Sequence, residues 1–241
     1  MTSSTPLPEA LRRDFGAVLF DMDGTLIDSI AAVERSWLRW CEEHGVDPRR
    51  LAGSHGVTAR NLIAGLLPED ERDAAHDRIV ALEVADVDAI EVLPGALDLL
   101  TTLRDAGVPA AIVTSSSDPL AEARLAATAL PHPEVVVTAD HVERGKPFPD
   151  PWLLGAERLG VDPADCLVLE DAVAGLRAAR EAGCGGLVAV TTTMTRAELD
   201  EVADLVVGSI ADLRVEVSDG RVRLLGVTGV DEPSPQEGGA A

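Results

Sequence analysis

The chain has 241 residues, 46% of them hydrophobic, and sets 42 acidic side chains against 20 basic ones, a formal net charge of −22. That length suits one α/β domain carrying an insertion, or one domain with a small partner domain, and leaves ample material for a core. An acid excess this large, with no basic run, excludes nucleic acid and anionic membrane as expected partners.

The first fifteen residues, MTSSTPLPEALRRDF, lack the basic–apolar–small order of an export signal, and no apolar stretch of about 18 residues is free of charge. A cytoplasmic protein that does not span a membrane is expected. Cys41, Cys166 and Cys184 are odd in number and widely spaced, and read as reduced, buried thiols. Positive charge is carried by 19 arginines and a single lysine, Lys146.

After the polar arm, Ala17–Phe20 is an apolar run with strand character, broken by Asp21-Met22-Asp23-Gly24. No comparable run follows until residue 92. The stretch reads as helices: one over 30–44 stopped by Gly45, others around 61–67 and 69–90, the last strongly acidic. Residues 30–92 are therefore expected to form a helical cap domain, returning through Glu91-Val92-Leu93-Pro94-Gly95. Trp37 and Trp40, spaced i, i+3, are expected in its core.

Continuous apolar runs resume at Ala110–Val113, Val135–Val137, 166–169, 187–190 and Leu205–Val207, as strands buried on both faces of a parallel sheet require. Helical stretches between them carry stop glycines at Gly107, Gly160 and Gly183. Thr195 and Glu198 have capping-box spacing, and Asp150-Pro151 resembles an N-cap followed by the first helical residue. The alternation predicts an α/β fold: a doubly wound, mostly parallel Rossmann-like sheet built from 1–29 and 93–228, with an inserted α-helical cap domain. Alternating residues on either side of Ser218-Asp219-Gly220 predict a C-terminal β-hairpin over about 214–225, and the Pro/Gly/Glu-rich residues 229–241 a disordered tail.

Four constellations at strand ends carry chemistry. Asp21 and Asp23 are spaced i, i+2 in a turn, so that one can act as nucleophile while the other handles protons. Two carboxylates so close repel unless a cation such as Mg²⁺ sits between them; the plainer alternative is a common Asp-Gly turn. Next, Thr114-Ser115-Ser116-Ser117-Asp118 offers hydroxyls and amide donors to phosphate oxygens, or an ordinary N-cap at Ser117 or Asp118. Gly145-Lys146-Pro147-Phe148-Pro149-Asp150-Pro151 then holds the lone lysine in a stiff loop, suited to a phosphoryl group and a carboxylate, or simply solvated. Finally, Glu170-Asp171 ends a buried strand, where a hard cation or the dipole of the following helix could satisfy two acids.

With these constellations in this order, the sequence resembles the haloacid dehalogenase-like hydrolase superfamily, in its branch with a helical cap after the first strand. The matching segments are DMDGT (21–25), VTSS (113–116), GKPFPDP (145–151) and LEDAVAGLRAA (169–179), and the resemblance spans roughly residues 14–213. It is similar to the small sugar-phosphate, glycerol-phosphate and phosphoglycolate-type phosphatases. The resemblance implies that Asp21 attacks phosphorus to form an aspartyl-phosphate, and that Asp23 protonates the leaving alcohol and then activates water. Thr114 and Lys146 would hold the phosphoryl oxygens. Mg²⁺ would sit on the Asp21 carboxylate, on the Met22-Asp23 region through a carbonyl, and on Asp171, with Glu170 adjacent or water-mediated.

The resemblance also puts substrate choice in the cap, where residues 53–60 are similar to a substrate loop. His55, Gly56 and Arg60 thus join Ser115 and Ser116 as candidate substrate-binding residues. Some relatives carry arginine where Val57 stands, and Arg60, one helical turn on, could replace it. Dehalogenases of the superfamily lack the second aspartate, so Asp23 favours phosphoryl chemistry. The expected activity is a Mg²⁺-dependent phosphatase of a small phosphorylated sugar or polyol, with a phosphosugar mutase as the alternative. A non-catalytic binding module is the third possibility, against which stand Asp21, Asp23, Lys146 and the Glu170-Asp171 pair. The expected partner is a small phosphorylated metabolite bound by a monomer or weak homodimer.

Overall fold

The computed structural model describes residues 7–52 and 57–228. In chain order it begins with β1 (Asp14–Phe15), β2 (Ala17–Phe20), β3 (Ile27–Asp28), α1 (Ile30–His44), α2 (Ala59–Ala64), α3 (Arg72–Ala85) and β4 (Glu91–Val92). There follow α4 (Ala96–Asp105), β5 (Ala110–Val113), α5 (Asp118–Thr128), β6 (Val135–Val137), α6 (Asp150–Leu159), β7 (Cys166–Glu170) and α7 (Val173–Glu181). The described chain closes with β8 (Gly186–Val190), α8 (Arg196–Asp200), β9 (Leu205–Val207), β10 (Leu213–Ser218) and β11 (Arg221–Val227).

Six strands pair in parallel in the order β6-β5-β2-β7-β8-β9. Successive residues of β2 serve opposite faces. Val18 and Phe20 join an apolar cluster with Leu99, Leu103 and Leu125, whereas Leu19 joins another with Trp152, Ala156 and Leu176. Helices cover both sides, which is why the strands read as unbroken apolar runs. The chain departs from β2 to one side, through β5 and β6, and returns to the other through β7, β8 and β9. Ligands of open sheets bind beyond the carboxyl ends of strands at such a reversal.

Between β3 and β4, helices α1, α2 and α3 pack about a separate cluster of Trp37, Trp40, Ile63, Ile79 and Leu82. Trp40 Nε1 donates to the Ala75 carbonyl at 2.8 Å, and its ring meets Trp37 edge-on at 5.2 Å. Strands β3 and β4 are antiparallel, Ile27 opposite Val92, so the chain enters and leaves the helical insertion side by side.

The acidic stretch 69–90 is not one helix. Glu69–Glu71 form a 3₁₀ turn, and α3 stops at Asp86, where Asp86-Val87-Asp88 supply poor helix formers. Helix α6 starts one residue earlier than the Asp-Pro pair suggests: Pro149 is the N-cap, and Asp150 and Pro151 lie inside the first turn. The capping box at Thr195 and Glu198 is present. The C-terminal hairpin turns at Asp219 and Gly220, both with positive φ, but β11 also pairs with β1 to make a three-stranded antiparallel sheet. Strands β1, β3 and β4 are two residues long and carry no periodicity to read. The expected disordered tail lies outside the described residues. Among the described residues no helix is long and apolar enough to cross a membrane.

Candidate active site

Strands β5, β2 and β7 end side by side, and each passes a polar segment to the same end of the sheet. The Asp21 N–H still donates to the Leu169 carbonyl at 2.9 Å, so the sheet holds its main chain in place. Lys146 Nζ donates to Asp21 Oδ1 and Glu170 Oε2, each at 2.7 Å, and lies 4.5 Å from the centre of the Trp152 ring. The lysine is not a solvated one, since Lys146 is only 1% exposed. Burial alone would discharge the ammonium, but Asp21 and Glu170 outweigh it and hold its pKa above the usual lysine value.

One ammonium does not neutralise its surroundings. Asp21, Glu170 and Asp171 offer oxygens that all lie within 4.8 Å of one another, and three carboxylates less one ammonium leave two negative charges. Burial, then the Glu170 charge, pushes the Asp21 carboxyl up to about 7. The same two causes, with Asp21 added, raise Asp171 well above the carboxylate range. Asp21 Oδ2 is buried and has no hydrogen-bond partner among the described residues. An orphaned carboxylate oxygen, an all-oxygen donor set and two uncompensated charges fit a hard divalent cation.

Two glycines make the cluster possible. Glu170 Oε1 accepts from the amides of Asp171 and Ala172 at 3.2 and 3.1 Å, which turns Oε2 toward Lys146. A Cβ on Gly175 would lie 1.9 Å from that Oε2. Thr193 Oγ1 donates to Asp171 Oδ2, and a Cβ on Gly24, where φ is +88°, would lie 2.1 Å from the same oxygen. Gly175→Ala sets helix propensity against the site. Alanine improves α7 by about 1 kcal/mol, whereas overpacking a buried, pinned carboxylate costs about 1–3 kcal/mol. The melting temperature is therefore expected to fall; a rise would mean that Glu170 can step aside freely.

The second carboxylate of the turn has different company. Asp23 Oδ1 accepts from Ser29 Oγ at 2.7 Å and pairs with Arg124 Nη1 at 2.8 Å. Its Oδ2 accepts from Ser116 Oγ at 3.0 Å, with Thr114 Oγ1 at 3.5 Å. Arg124 Nη2 reaches across to Glu83 Oε1 of α3 at 3.1 Å. Burial pushes the Glu83 carboxyl up to about 7, a rise that Arg124 only partly offsets. Asp21, Asp23, Thr114, Ser116, Glu83 and Arg124 all line a cavity of about 650 Å³ between the helical insertion and the sheet. The arrangement thus presents a buried carboxylate clamped by an ammonium beside a more open one set among hydroxyls. Chemically, such a pair can serve as a nucleophile next to a proton-handling group.

Of the other residues singled out in the sequence, Ser115 and Val57 line the same cavity. Ser117 is the N-cap residue of α5 but makes no capping bond. Asp140 Oδ2 takes the Asp118 amide instead, at 2.8 Å, which corrects the ordinary-cap reading. Arg60 borders the cavity with a largely exposed side chain that pairs with Asp73 at 3.3 Å. His55 and Gly56 lie outside the described residues. The Asp23 carboxylate stands apart from the three-carboxylate cluster.

Ser29, Thr193, Arg124 and Glu83 all escaped the sequence reading, and the last two are the charged ones. For those two a signal existed: each occupies the apolar stripe of its helix, Arg124 beside Leu120, Ala121 and Leu125, and Glu83 beside Ile79 and Leu82. A charge at such a position needs a buried partner.

A family model described as haloacid dehalogenase-like hydrolase matches residues 15–183. The chain is 46% identical over 204 residues to hexitol phosphatase A of Escherichia coli K12, spanning 82% of this chain and 92% of that protein. It is 33% identical over 177 residues to fructose-1-phosphate phosphatase YqaB of the same organism, spanning 70% and 93%. Among solved structures, CbbY from Rhodobacter sphaeroides in complex with phosphate matches with a TM-score of 0.72 at 29% identity, over 82% of this chain and 96% of that one.

Proposed function

The chain belongs to the haloacid dehalogenase-like hydrolase family, and from that premise we propose that this phosphoric monoester hydrolase cleaves a small phosphorylated sugar or polyol, using Mg²⁺ and an aspartyl-phosphate on Asp21. What carries the reading is the unlike treatment of two aspartates on one turn, both facing one cavity. Asp21, fixed by β2 and by Lys146, attacks phosphorus; the bond to the ester oxygen breaks, and Asp23 gives that oxygen its proton. Water then attacks the phosphoryl group, Asp23 takes the water's proton, and the Asp21–phosphorus bond breaks to release inorganic phosphate. Lys146, Thr114 and Ser115 hold the phosphoryl oxygens, and Ser116, whose amide and hydroxyl donate to Thr114 and Asp23, borders them. Asp21, Asp171 and the main-chain carbonyl of Asp23, with Glu170 adjacent, would hold Mg²⁺, which supplies charge neutralisation and Lewis-acid polarisation. Hexitol phosphatase A and fructose-1-phosphate phosphatase, as similar proteins, support a substrate with several hydroxyls, met by Arg60, His55 and Gly56. The free, buried thiols of Cys41, Cys166 and Cys184 suit a reducing compartment such as the cytoplasm.

The test is a panel of phosphorylated sugars, polyols and nucleotides, incubated with Mg²⁺ or with a chelator and scored for released phosphate. Release in step with free sugar or polyol, lost on chelation, is the expected result. Turnover of nucleotides alone would overturn the substrate class. Isomer conversion that requires a catalytic bisphosphate, without net phosphate, would make the protein a mutase.

A further inference from the structure

We infer that Glu83 and Arg124 form a positioning relay through which the helical cap sets the carboxyl group of Asp23. The inference rests on the proposed role of Asp23 as proton donor to the leaving alcohol. The relay crosses from cap to core. Glu83 lies on α3, within the insertion, whereas Arg124 lies on α5, Ser116 follows β5 and Asp23 follows β2. Arg124 is 3% exposed and Glu83 5%. The guanidinium gives Nη2 to Glu83 at 3.1 Å, and Nη1 both to Asp23 Oδ1 at 2.8 Å and to Ser116 Oγ at 3.0 Å. Ser116 Oγ in turn donates to Asp23 Oδ2 at 3.0 Å, so both oxygens of the acid are tied, directly or through one hydroxyl, to the same planar fork.

The fork explains why arginine stands here. Its two nitrogens are fixed relative to each other, so the carboxylate that orients one end also orients the other; a lysine offers a single point of charge. Arg124 Nε is buried without a partner among the described residues, so the side chain is held by its tip alone. Glu83 is the cap's contribution to that tip. If the cap swings away, Arg124 loses one of its two carboxylates and Asp23 loses the geometry in which its carboxyl faces the cavity. Misplacing a reacting group by about 1 Å costs on the order of 100-fold in rate. Neither Glu83 nor Arg124 needs to touch the substrate for this, and both act through Asp23.

The experiment measures kcat/KM for phenyl phosphates of similar size and graded leaving-group pKa, from p-nitrophenyl to unsubstituted phenyl phosphate. This parameter reports transfer to Asp21, the step in which Asp23 acts as acid. The variants are Glu83→Ala, Glu83→Gln, Arg124→Lys and Asp23→Asn. In Glu83→Ala and Arg124→Lys, the phenyl substrate should lose roughly 10–100-fold, and p-nitrophenyl phosphate, whose leaving group needs no proton, only a few-fold. Glu83→Gln, which keeps an acceptor at Oε1, should recover part of the loss. Asp23→Asn should give the same steepened dependence, and adding Glu83→Ala to it should cost nothing further. The ratio between substrates is independent of the folded fraction, so partial unfolding does not mimic the effect. Equal losses on all substrates, an unchanged ratio, or full additivity with Asp23→Asn would overturn the relay. A wild-type protein that releases phosphate from none of these esters, nor from the panel of sugar and polyol phosphates, would instead overturn the phosphatase reading.

Discussion

Asp21→Asn is expected to lower phosphate release by roughly 10⁴-fold or more, the scale seen when a covalent nucleophile is removed, while the protein stays folded. The two halves of this expectation have separate causes. Asparagine keeps the shape of the side chain and can still bond Lys146, but its amide does not form the acyl-phosphate. Stability moves the other way. The Asp21 carboxyl is pushed up to about 7 by burial and by Glu170, so its ionised form is disfavoured in the folded chain. For a group of this kind the unfolded chain releases its proton first, and folding stability falls as pH rises from about 4 toward 7. Removing the charge relieves that penalty. At pH 7.5 and without a divalent cation, the variant should therefore melt no lower than the wild type. Residual turnover near the wild-type rate would remove Asp21 from the mechanism. A melting temperature far below wild type would mean that the ion pair with Lys146, not the excess of negative charge, dominates this cluster.

Lys146→Met makes the opposite demand. The ammonium is the counter-ion of both Asp21 and Glu170, at 2.7 Å from each, and its replacement leaves two carboxylates buried without it. Breaking a buried pair from one side costs about 3–5 kcal/mol, or roughly 6–20 °C in melting temperature for a domain of this size. The loss should depend on pH. With no ammonium beside it the Asp21 carboxyl rises further above its ordinary value, so the deficit is full at pH 7.5 and shrinks toward pH 5, where that group is protonated. Activity should fall with stability, but it should not return at pH 5, because the phosphoryl group has lost its fixed cation. Lys146→Arg is not expected to rescue, since a planar guanidinium does not fit the 1%-exposed seat over Trp152. Thermal melts of both variants at the two pH values check this. A pH-independent deficit would point to lost packing rather than lost charge.

The parts of the site that the sequence revealed share a reason. A strand buried on both faces announces itself as an unbroken apolar run, and the polar residues that end it stand out by contrast. Asp21, Thr114 and Glu170-Asp171 each follow such a run, and Lys146 stood out because all other basic residues are arginine. Arg124 and Glu83 were hidden for the converse reason. They sit on helices that also carry exposed charges, where one more arginine or glutamate looks like solvated surface until its neighbours on the apolar stripe are counted. The short strands β1, β3 and β4 were hidden because two residues have no period, and pairing with distant segments is what makes them strands.

The sequence by itself therefore determined the class of fold, the segments that meet at the sheet's end, and the chemical types present there: carboxylates, hydroxyls and one ammonium. These follow from local periodicity and from the rule that parallel strands present their carboxyl ends together. Only the tertiary structure decided which charge answers which. Lys146 meets a carboxylate 125 residues away, and Arg124 meets one 41 residues away. Such pairings are set by the packing of whole elements, because in a buried place each charge takes the partner that the backbone brings within about 3 Å, whatever its distance along the chain.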